Sequence, residues 1–520
     1  MKKVMSIILS FVLCLSLALP AFAGSYDEKP TIYVTGAQTN DLYSADGVRI
    51  YPRENENGAE AIKNALIPCL EKLMIGLITD DYKAYAEEFH AAFMEFYGDL
   101  ALDENGEPGD GSHPQYTIYN CGTPRKDHGY GEFDYRFWYD WRISPLTAAE
   151  DLKIYIDMVK EATGESKVNL MGRCYGANVI QAYLTLYTDH ALESVDDVAY
   201  LASSIEGIDM LGSIFAGELV FEDQAVTNFA NFFLNNENVI QDEVTYAFVV
   251  SFLEVFQKTE MLGITGHSLE LLIDRLESDL IPMILKDSFG SMPAYWAMVP
   301  EEKYEKAREF IFEGEEEKYA GLIDKIDTYY YDVQLRTKDT LLALDKAGID
   351  FYIVSKYNFP DYPLYEGATA LSDGNTRVTE QSFGAVCADY GEVLSEKYVN
   401  ALEDTKYLSP DHKIDASTCL FPETSYFIKD LHHDLVPPSM NYFVMDLMNY
   451  EATVSGGEYA QYLDYVGWND PLVPVEGLDE DATKEETPEA ITFIRFFTAL
   501  MNFITKLLKG DFNFGFNLEL

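Results

Sequence analysis

One segment of the chain combines an apolar run, a tight glycine turn and a helical pattern around a single cysteine. Residues 167–184 read Lys-Val-Asn-Leu-Met-Gly-Arg-Cys-Tyr-Gly-Ala-Asn-Val-Ile-Gln-Ala-Tyr-Leu, so Gly172 and Gly176 flank Cys174. This layout predicts a nucleophile elbow, a strained strand-to-helix turn that presents one side chain at a helix N-terminus. Glycine suits the flanking positions because the turn passes close to neighbouring backbone. Cys174 therefore stands where such turns usually carry serine.

A thiol in this position has a defined chemistry. The helix N-terminus and a neighbouring histidine lower the pKa of a cysteine, which makes the thiolate available near neutral pH. A thiolate attacks ester and thioester carbonyls and forms an acyl-thioester with the enzyme. The sequence therefore predicts Cys174 as a catalytic nucleophile that needs less help from a base than serine does.

Strand and helix patterns alternate on both sides of this turn. Besides the run that ends at Gly172, the β-branched and aromatic runs that predict strands are residues 31–35, 116–120, 133–141, 198–203, 350–355 and 425–429. A helix is predicted from Pro145 to about Lys160. This alternation predicts an α/β protein with a mostly parallel sheet and crossover helices.

The strand pattern stops between residues 205 and 340, where long helical patterns dominate. We interpret residues 24–204 and 341–475 as the two parts of one core, and residues 205–340 as a large inserted helical cap. Such an insertion would cover the carboxyl edge of the sheet, where open α/β folds bind ligands.

Two further segments follow the core. Residues 476–489 read as an acidic linker, and residues 490–520 as a C-terminal amphipathic helix and tail. The apolar face of residues 490–509 would dock on this protein or make a peripheral contact with a lipid interface.

The segment before the elbow resembles a known group of proteins. Residues 139–142 (Tyr-Asp-Trp-Arg), with Pro145-Leu and Ala148-Ala-Glu behind them, are similar to the segment that precedes the elbow in lipases and lecithin–cholesterol acyltransferase-like proteins of the α/β-hydrolase superfamily. The similarity runs over about residues 31–201 and 350–434. It implies an α/β-hydrolase three-layer sandwich, activity on carboxylic esters, and the chain order nucleophile, acid, histidine.

The resemblance places the acid in an Asp-Gly loop beyond the strand at residues 350–355. Asp373, within Leu-Ser-Asp-Gly, is the preferred candidate, and it would orient the histidine and stabilise its charged form. Asp411 has a similar local sequence and is the alternative. A plain Asp-Gly turn without chemistry fits either loop.

The same order places the histidine after the last core strand. His432 and His433 directly follow residues 425–429, and the chain has only eight histidines. His433 is preferred because lipase-like chains usually place this residue one position further from the strand. His412 and His267 are weaker candidates.

An oxyanion hole requires two backbone N–H groups aimed at the developing negative oxygen. One is expected from Tyr175, directly after the nucleophile. The other should follow Gly36, which ends the first strand, so Ala37 is the preferred donor and Gln38 the alternative.

Charge and the N-terminus constrain the partners. The formal net charge of −51 disfavours nucleic acid and anionic lipid as ligands. Residues 1–23 read as a signal peptide, with a basic start, an apolar stretch and a small-residue cleavage site, so export is expected. No metal or organic cofactor is predicted, and the oligomeric state stays open.

Cysteine usage bears on the same site. Beyond the signal segment the chain contains Cys69, Cys121, Cys174, Cys387 and Cys419. An odd count leaves at least one thiol unpaired, and Cys174 is the natural candidate. Pairs between Cys387 and Cys419 and between Cys69 and Cys121 are plausible, although sequence does not fix connectivity.

These inferences favour a secreted lipase- or esterase-like hydrolase that cleaves carboxylic, mainly lipid, esters through an acyl-thioester on Cys174. A cysteine acyltransferase and a catalytically weak binding protein of the same fold are the alternatives.

Overall fold

A computed structural model of the 520-residue chain describes residues 29–52, 81–121, 135–220, 280–457 and 459–477. Isolated positions are also described between residues 68 and 79, at residue 124 and between residues 222 and 232. The predicted signal peptide, the helix at residues 490–509, nearly all of the acidic linker and His267 lie outside the described residues. No helix among the described residues has the length and apolar character needed to cross a membrane.

The described strands, in chain order, are β1 (Thr31–Val34), β2 (Leu42–Tyr43), β3 (Arg49–Tyr51), β4 (His113–Pro114), β5 (Tyr135–Phe137), β6 (Val168–Arg173), β7 (Val195–Leu201), β8 (Asp350–Tyr357), β9 (Val386–Cys387), β10 (Ile414–Asp415), β11 (Ser425–Lys429), β12 (Tyr462–Asp464) and β13 (Val473–Pro474). Eight of them form the central sheet, in the order β13-β12-β11-β8-β7-β6-β1-β5. Its pairings are parallel except the one between β12 and β13.

The described α-helices, in chain order, are α1 (Lys83–Tyr97), α2 (Pro145–Thr163), α3 (Tyr175–Leu186), α4 (Thr188–Ser194), α5 (Asp209–Phe215), α6 (Ile281–Lys286), α7 (Pro293–Trp296), α8 (Glu301–Phe312), α9 (Ala320–Asp332), α10 (Thr337–Ala347), α11 (Val378–Gln381), α12 (Glu396–Val399) and α13 (Pro438–Asn449). Helix α2 shows why the local sequence is helical. Ser144 caps its first turn by accepting a hydrogen bond from Leu146 N, Pro145 occupies the first position, and Gly164 ends it at a φ of 80°.

Side chains alternate between the two faces of the sheet, and each face is covered by helices. Ile32 and Leu170 pack with residues of α2, α3 and α10 in one core cluster. Tyr33 and Met171, one position along the same strands, pack with α13 in a second cluster on the opposite face. The molecule is therefore a mixed α/β fold, with a mostly parallel sheet between layers of helices.

Most of the strands predicted from sequence are confirmed, at residues 31–35, 350–355, 425–429 and in the run before Cys174. The strand predicted at residues 133–141 is shorter and covers Tyr135–Phe137. The strand predicted at residues 116–120 is wrong, because Thr117 N donates to Asn120 Oδ1 at 2.7 Å and closes a turn there. A local side-chain hydrogen bond has replaced strand pairing.

The described part of residues 205–340 is helical, and no described strand lies between Leu201 and Asp350. Helices α5, α7, α8 and α9 share an apolar cluster of their own around Trp296. Helix α10, which spans the predicted boundary at residue 340, instead contributes Leu341 and Leu344 to the core beneath the sheet.

A buried ion pair stabilises the segment between β5 and α2. Arg142 is fully buried and donates to both carboxylate oxygens of Asp140, through Nε at 3.0 Å and Nη2 at 2.8 Å. Its Nη1 also donates to Ser112 Oγ at 3.0 Å. The motif Tyr-Asp-Trp-Arg therefore anchors the entrance to helix α2 through a charge pair removed from water.

We expect the substitution Asp140→Ala to lower the free energy of unfolding by about 3–5 kcal/mol, because it leaves the Arg142 guanidinium buried without its counter-ion. Urea denaturation followed by circular dichroism measures this loss. The exposed pair of Arg336 with Asp332 is the matched control, and Asp332→Ala should cost less than about 1 kcal/mol. Equal losses for the two variants would contradict the assigned role.

Candidate active site

The turn at Cys174 is built as the glycine spacing predicts. Cys174 lies between β6 and α3 with a φ of 50°, a conformation that residues other than glycine rarely adopt. A Cβ on Gly176 would lie 2.2 Å from Val34 O, and one on Gly36 would lie 3.2 Å from the Cβ of Cys174. Strand β1 therefore passes directly against the turn, and only glycine permits this approach.

His433 follows β11 and lies against the predicted acid. Its Nδ1 is 2.7 Å from Asp373 Oδ2, and its backbone N donates to Asp373 O at 2.9 Å. Both residues are buried, with 4% of His433 and none of Asp373 exposed. The structure thus brings Asp373 and His433 together from two loops that are 60 residues apart in the chain.

The loop after β8 fixes the orientation of the Asp373 carboxylate. Its Oδ1 accepts hydrogen bonds from Asn375 N at 3.1 Å and Thr376 N at 2.9 Å, while Oδ2 stays directed at the imidazole. These donors favour the ionised carboxylate. Burial alone would raise the pKa of Asp373, but the imidazolium of His433 outweighs it, so this pKa lies below its usual value.

Cys174 and His433 each shift the pKa of the other. Burial opposes the thiolate, yet its hydrogen bond and attraction to His433 lower the pKa of Cys174 below that of an ordinary thiol. Burial also opposes the imidazolium, but the charges of Asp373 and Cys174 raise the pKa of His433 to about 10. The surroundings of Cys174 therefore favour a thiolate beside the imidazolium of His433 and the carboxylate of Asp373.

Of the two predicted oxyanion donors, one contacts the sulfur and the other packs against the same apolar cluster. Tyr175 N donates to the Cys174 side chain, and Ala37 packs against the same cluster as Cys174. Gln38 has a φ of 62°, and its amide lies between Tyr51 and Tyr295, 3.0 Å from each hydroxyl. The first-strand loop is therefore held in one conformation beside the nucleophile.

The alternative residues lie elsewhere. Asp411 accepts a hydrogen bond from Tyr357 at 3.3 Å and faces Lys429 at 3.6 Å, so it is a structural carboxylate of the neighbouring loop. The ring of His432 packs edge-on against Phe359 at 5.2 Å, and burial lowers its pKa. Neither residue forms a hydrogen bond with the side chain of Cys174 or His433, and His412 does not either.

Among the described residues, no disulfide joins Cys387 to Cys419 or Cys69 to Cys121. The other four thiols differ electrostatically from Cys174, because burial raises the pKa of each one. That of Cys69 is about 11 and that of Cys419 about 12, and those of Cys121 and Cys387 are also raised. Cys174 is the one described thiol whose environment favours the thiolate.

Two basic residues behind the histidine were not predicted from sequence. Lys356 and Arg173 both donate to His433 O, at 2.9 and 2.8 Å. Each is a charged residue at the end of a strand that is otherwise rich in apolar residues. This unusual position is the sequence feature that could have identified them. Among the described residues, no group of three or more His, Cys, Asp or Glu side chains is arranged to hold a metal ion.

Comparisons with known proteins leave the family open. No protein-family profile matches the chain, and no curated protein is significantly similar to it in sequence. Among solved structures, it is similar to a chain in the crystal structure of a Tle4–Tli4 complex, with 13% identity over 64% of this chain and 75% of that chain. The TM-score is 0.23, so this likeness supports no argument about the fold or the function.

We expect iodoacetamide to alkylate Cys174 before any other cysteine, and at a pH below the titration range of an ordinary thiol. The reason is that His433 stabilises the thiolate, so the reactive form persists as the pH falls. Removal of the imidazolium in His433→Ala should move the midpoint of the rate–pH profile upward. Peptide mass spectrometry after timed labelling measures site and rate.

The adjacent variant His432→Gln serves as the control for this profile, because His433 and not His432 is the histidine that lowers the pKa of Cys174. Its midpoint should match that of the wild type. Equal midpoints for His433→Ala and the wild type would contradict the ion pair.

Proposed function

We propose that this protein is a cysteine-dependent hydrolase of the α/β-hydrolase type, which cleaves carboxylic esters through an acyl-thioester on Cys174. One observation carries the proposal. A thiolate in a strained turn at a helix N-terminus is hydrogen-bonded to His433, whose other ring nitrogen lies 2.7 Å from the buried carboxylate of Asp373. A nucleophile, a base and an orienting acid in this relation match the general geometry of covalent catalysis.

In the acylation step, the Cys174 thiolate attacks the ester carbonyl carbon and forms a C–S bond. The carbonyl π electrons move to oxygen, where Tyr175 N–H and Ala37 N–H would stabilise the negative charge. The tetrahedral intermediate then collapses, and the C–O bond to the alcohol breaks. His433 donates its Nε2 proton to the departing alkoxide, because Nδ1 is engaged with Asp373.

In the deacylation step, neutral His433 accepts a proton from water as the water oxygen attacks the thioester carbonyl. Collapse of the second tetrahedral intermediate breaks the C–S bond and releases the carboxylic acid. The thiolate and imidazolium are thereby restored. An alcohol or amine in place of water would complete an acyl transfer by the same route.

In this proposal, the described helices within residues 205–340 belong to a cap that supplies an apolar acyl site. Supporting this idea, helix α7 brings Tyr295 to the first-strand loop, where its hydroxyl accepts a hydrogen bond from Gln38 Nε2 at 3.0 Å. The ring of Phe289 lies 4.8 Å from that of Tyr295, so the two rings form an apolar surface next to this loop. Such a surface suits a lipid or another apolar acyl group. The proposed enzyme is exported, as its N-terminal segment suggests.

We expect intact-mass spectrometry to detect an acyl adduct when reduced protein is mixed with a short or a long p-nitrophenyl ester. Cys174→Ala should form no adduct and show no turnover, because the attacking atom is gone. An adduct that persists until an alcohol or amine is added would indicate acyl transfer. Reduced wild-type protein that is acylated by neither ester would contradict the proposal for those acyl classes.

Catalysis should depend on Asp373 and not on Asp411. We expect His433→Ala to lower kcat about 10²–10⁴-fold, since the proton donor is lost. Asp373→Asn should lower it by about tenfold or more but by less than His433→Ala, because a thiolate needs little activation by base. Steady-state ester hydrolysis measures both. Asp411→Asn is the matched control and should stay within about twofold of wild type; a reversed order would reject Asp373 as the acid.

A further inference from the structure

The loop that carries His433, residues 430–435, is held through its backbone; we call it the histidine loop. Two of its backbone N–H groups donate hydrogen bonds, from Asp430 N to Tyr357 O at 3.0 Å and from His433 N to Asp373 O at 2.9 Å. Asp430 itself has a φ of 58° and accepts a hydrogen bond from Asn358 Nδ2 at 2.6 Å. The buried carbonyl groups of the same loop require hydrogen-bond donors as well.

Lys356 supplies these donors from beneath the loop. Its side chain is fully buried at the end of β8, and its Nζ donates to Leu435 O at 2.6 Å, His433 O at 2.9 Å and His432 O at 3.3 Å. Three carbonyl acceptors match the three N–H donors of an ammonium group. Burying a charge in this way is costly unless each donor is used, which indicates a specific role.

The backbone of Lys356 is fixed as well. The side chain of Gln381 accepts from Lys356 N at 2.9 Å and donates to Lys356 O at 3.3 Å. Helix α11, which contains Gln381, begins only five residues after Asp373. The lysine is thus part of the same rigid unit as the acid loop.

Arg173 closes the arrangement from the other side. It directly precedes Cys174, and its Nη2 donates to His433 O at 2.8 Å, so one carbonyl receives hydrogen bonds from two cations. Charged hydrogen bonds of this kind are stronger than neutral ones. Arg173 at the end of β6 and Lys356 in β8 therefore both donate to the backbone carbonyl of His433.

From these contacts we infer that Lys356 is a positioning residue, whose ammonium fixes the histidine loop so that His433 meets both Cys174 and Asp373. This inference rests on the proposed function for its effect on turnover. Its effect on the thiolate is independent of any ester, because the Cys174–His433 hydrogen bond exists in the resting protein.

Several charged groups surround the pair and enter any titration of it. Asp373 faces His433 from the acid loop, Arg173 and Lys356 lie behind it, and His432 and Asp434 flank it on the histidine loop. Burial, followed by repulsion from Arg173, lowers the pKa of Lys356 to about 7, while Asp373 and Asp434 oppose this shift. A variant at Lys356 must therefore be compared with loss of a similar charge nearby.

The test is the rate of iodoacetamide alkylation of Cys174 as a function of pH, measured on the full chain. In Lys356→Met, three buried carbonyls lose their donor, so His433 is no longer held against the sulfur. We expect the midpoint to rise by about one pH unit or more, toward that of His433→Ala. At a fixed pH below both midpoints, one unit corresponds to about a tenfold slower alkylation.

The matched control is Lys429→Met, which removes a lysine from the end of the neighbouring strand β11. Lys429 faces Asp411 at 3.6 Å and has a partly exposed side chain. Its variant should keep the wild-type midpoint. A folded Lys356→Met protein with the wild-type midpoint would overturn the inference, as would an equal shift in Lys429→Met.

Lys356→Gln covers the case in which Lys356→Met does not fold. The amide offers two N–H donors for three carbonyls and carries no charge, so we expect a midpoint between those of wild type and His433→Ala. A wild-type midpoint in this variant would contradict the need for an ammonium. Ester kinetics are run in parallel, with an expected fall in kcat at nearly constant KM. Because alkylation needs no ester, an inactive wild type would reject the proposed function alone.

Discussion

The close approach of strand β1 to the turn at Cys174 is the constraint on which the site depends. Gly176 allows Val34 O to lie where a Cβ would collide with it, and Gly36 leaves only a tight space beside Cys174. This contact places the first-strand loop beside the sulfur and directs the N-terminus of α3 at it. A larger residue at Gly176 would push strand β1 away from the turn at Cys174.

The second organising feature is a row of three charges in a dry environment. Thiolate, imidazolium and carboxylate each oppose burial individually, yet each stabilises its neighbour. The surroundings of Cys174 favour its ionised form, which a serine hydroxyl at the same position would not reach. The chain as a whole is strongly negative, yet two basic side chains, Lys356 and Arg173, lie behind His433. Their positive charge offsets the negative charge of the carboxylate and the thiolate.

Sequence predicted the central strands and the members of the site because both have local signatures. Glycine spacing marks the turn at Cys174, and Asp373 and His433 each follow a buried strand. The failures have physical causes. Thr117 and Asn120 form a side-chain turn that β-propensity does not detect. Lys356 and Arg173 were missed because their acceptors are backbone carbonyls on a distant loop, which no residue pattern encodes.

The hydrogen bond from Arg173 to the carbonyl of His433 has a consequence for the dynamics of the site. The residue before the nucleophile and the histidine are joined directly, so neither loop separates from the other without breaking a buried charged contact. Local openings in proteins follow such connections and occur in cooperative units. The turn at Cys174, the loop of Asp373 and the histidine loop are thus joined by buried hydrogen bonds, and they separate only if these bonds break together.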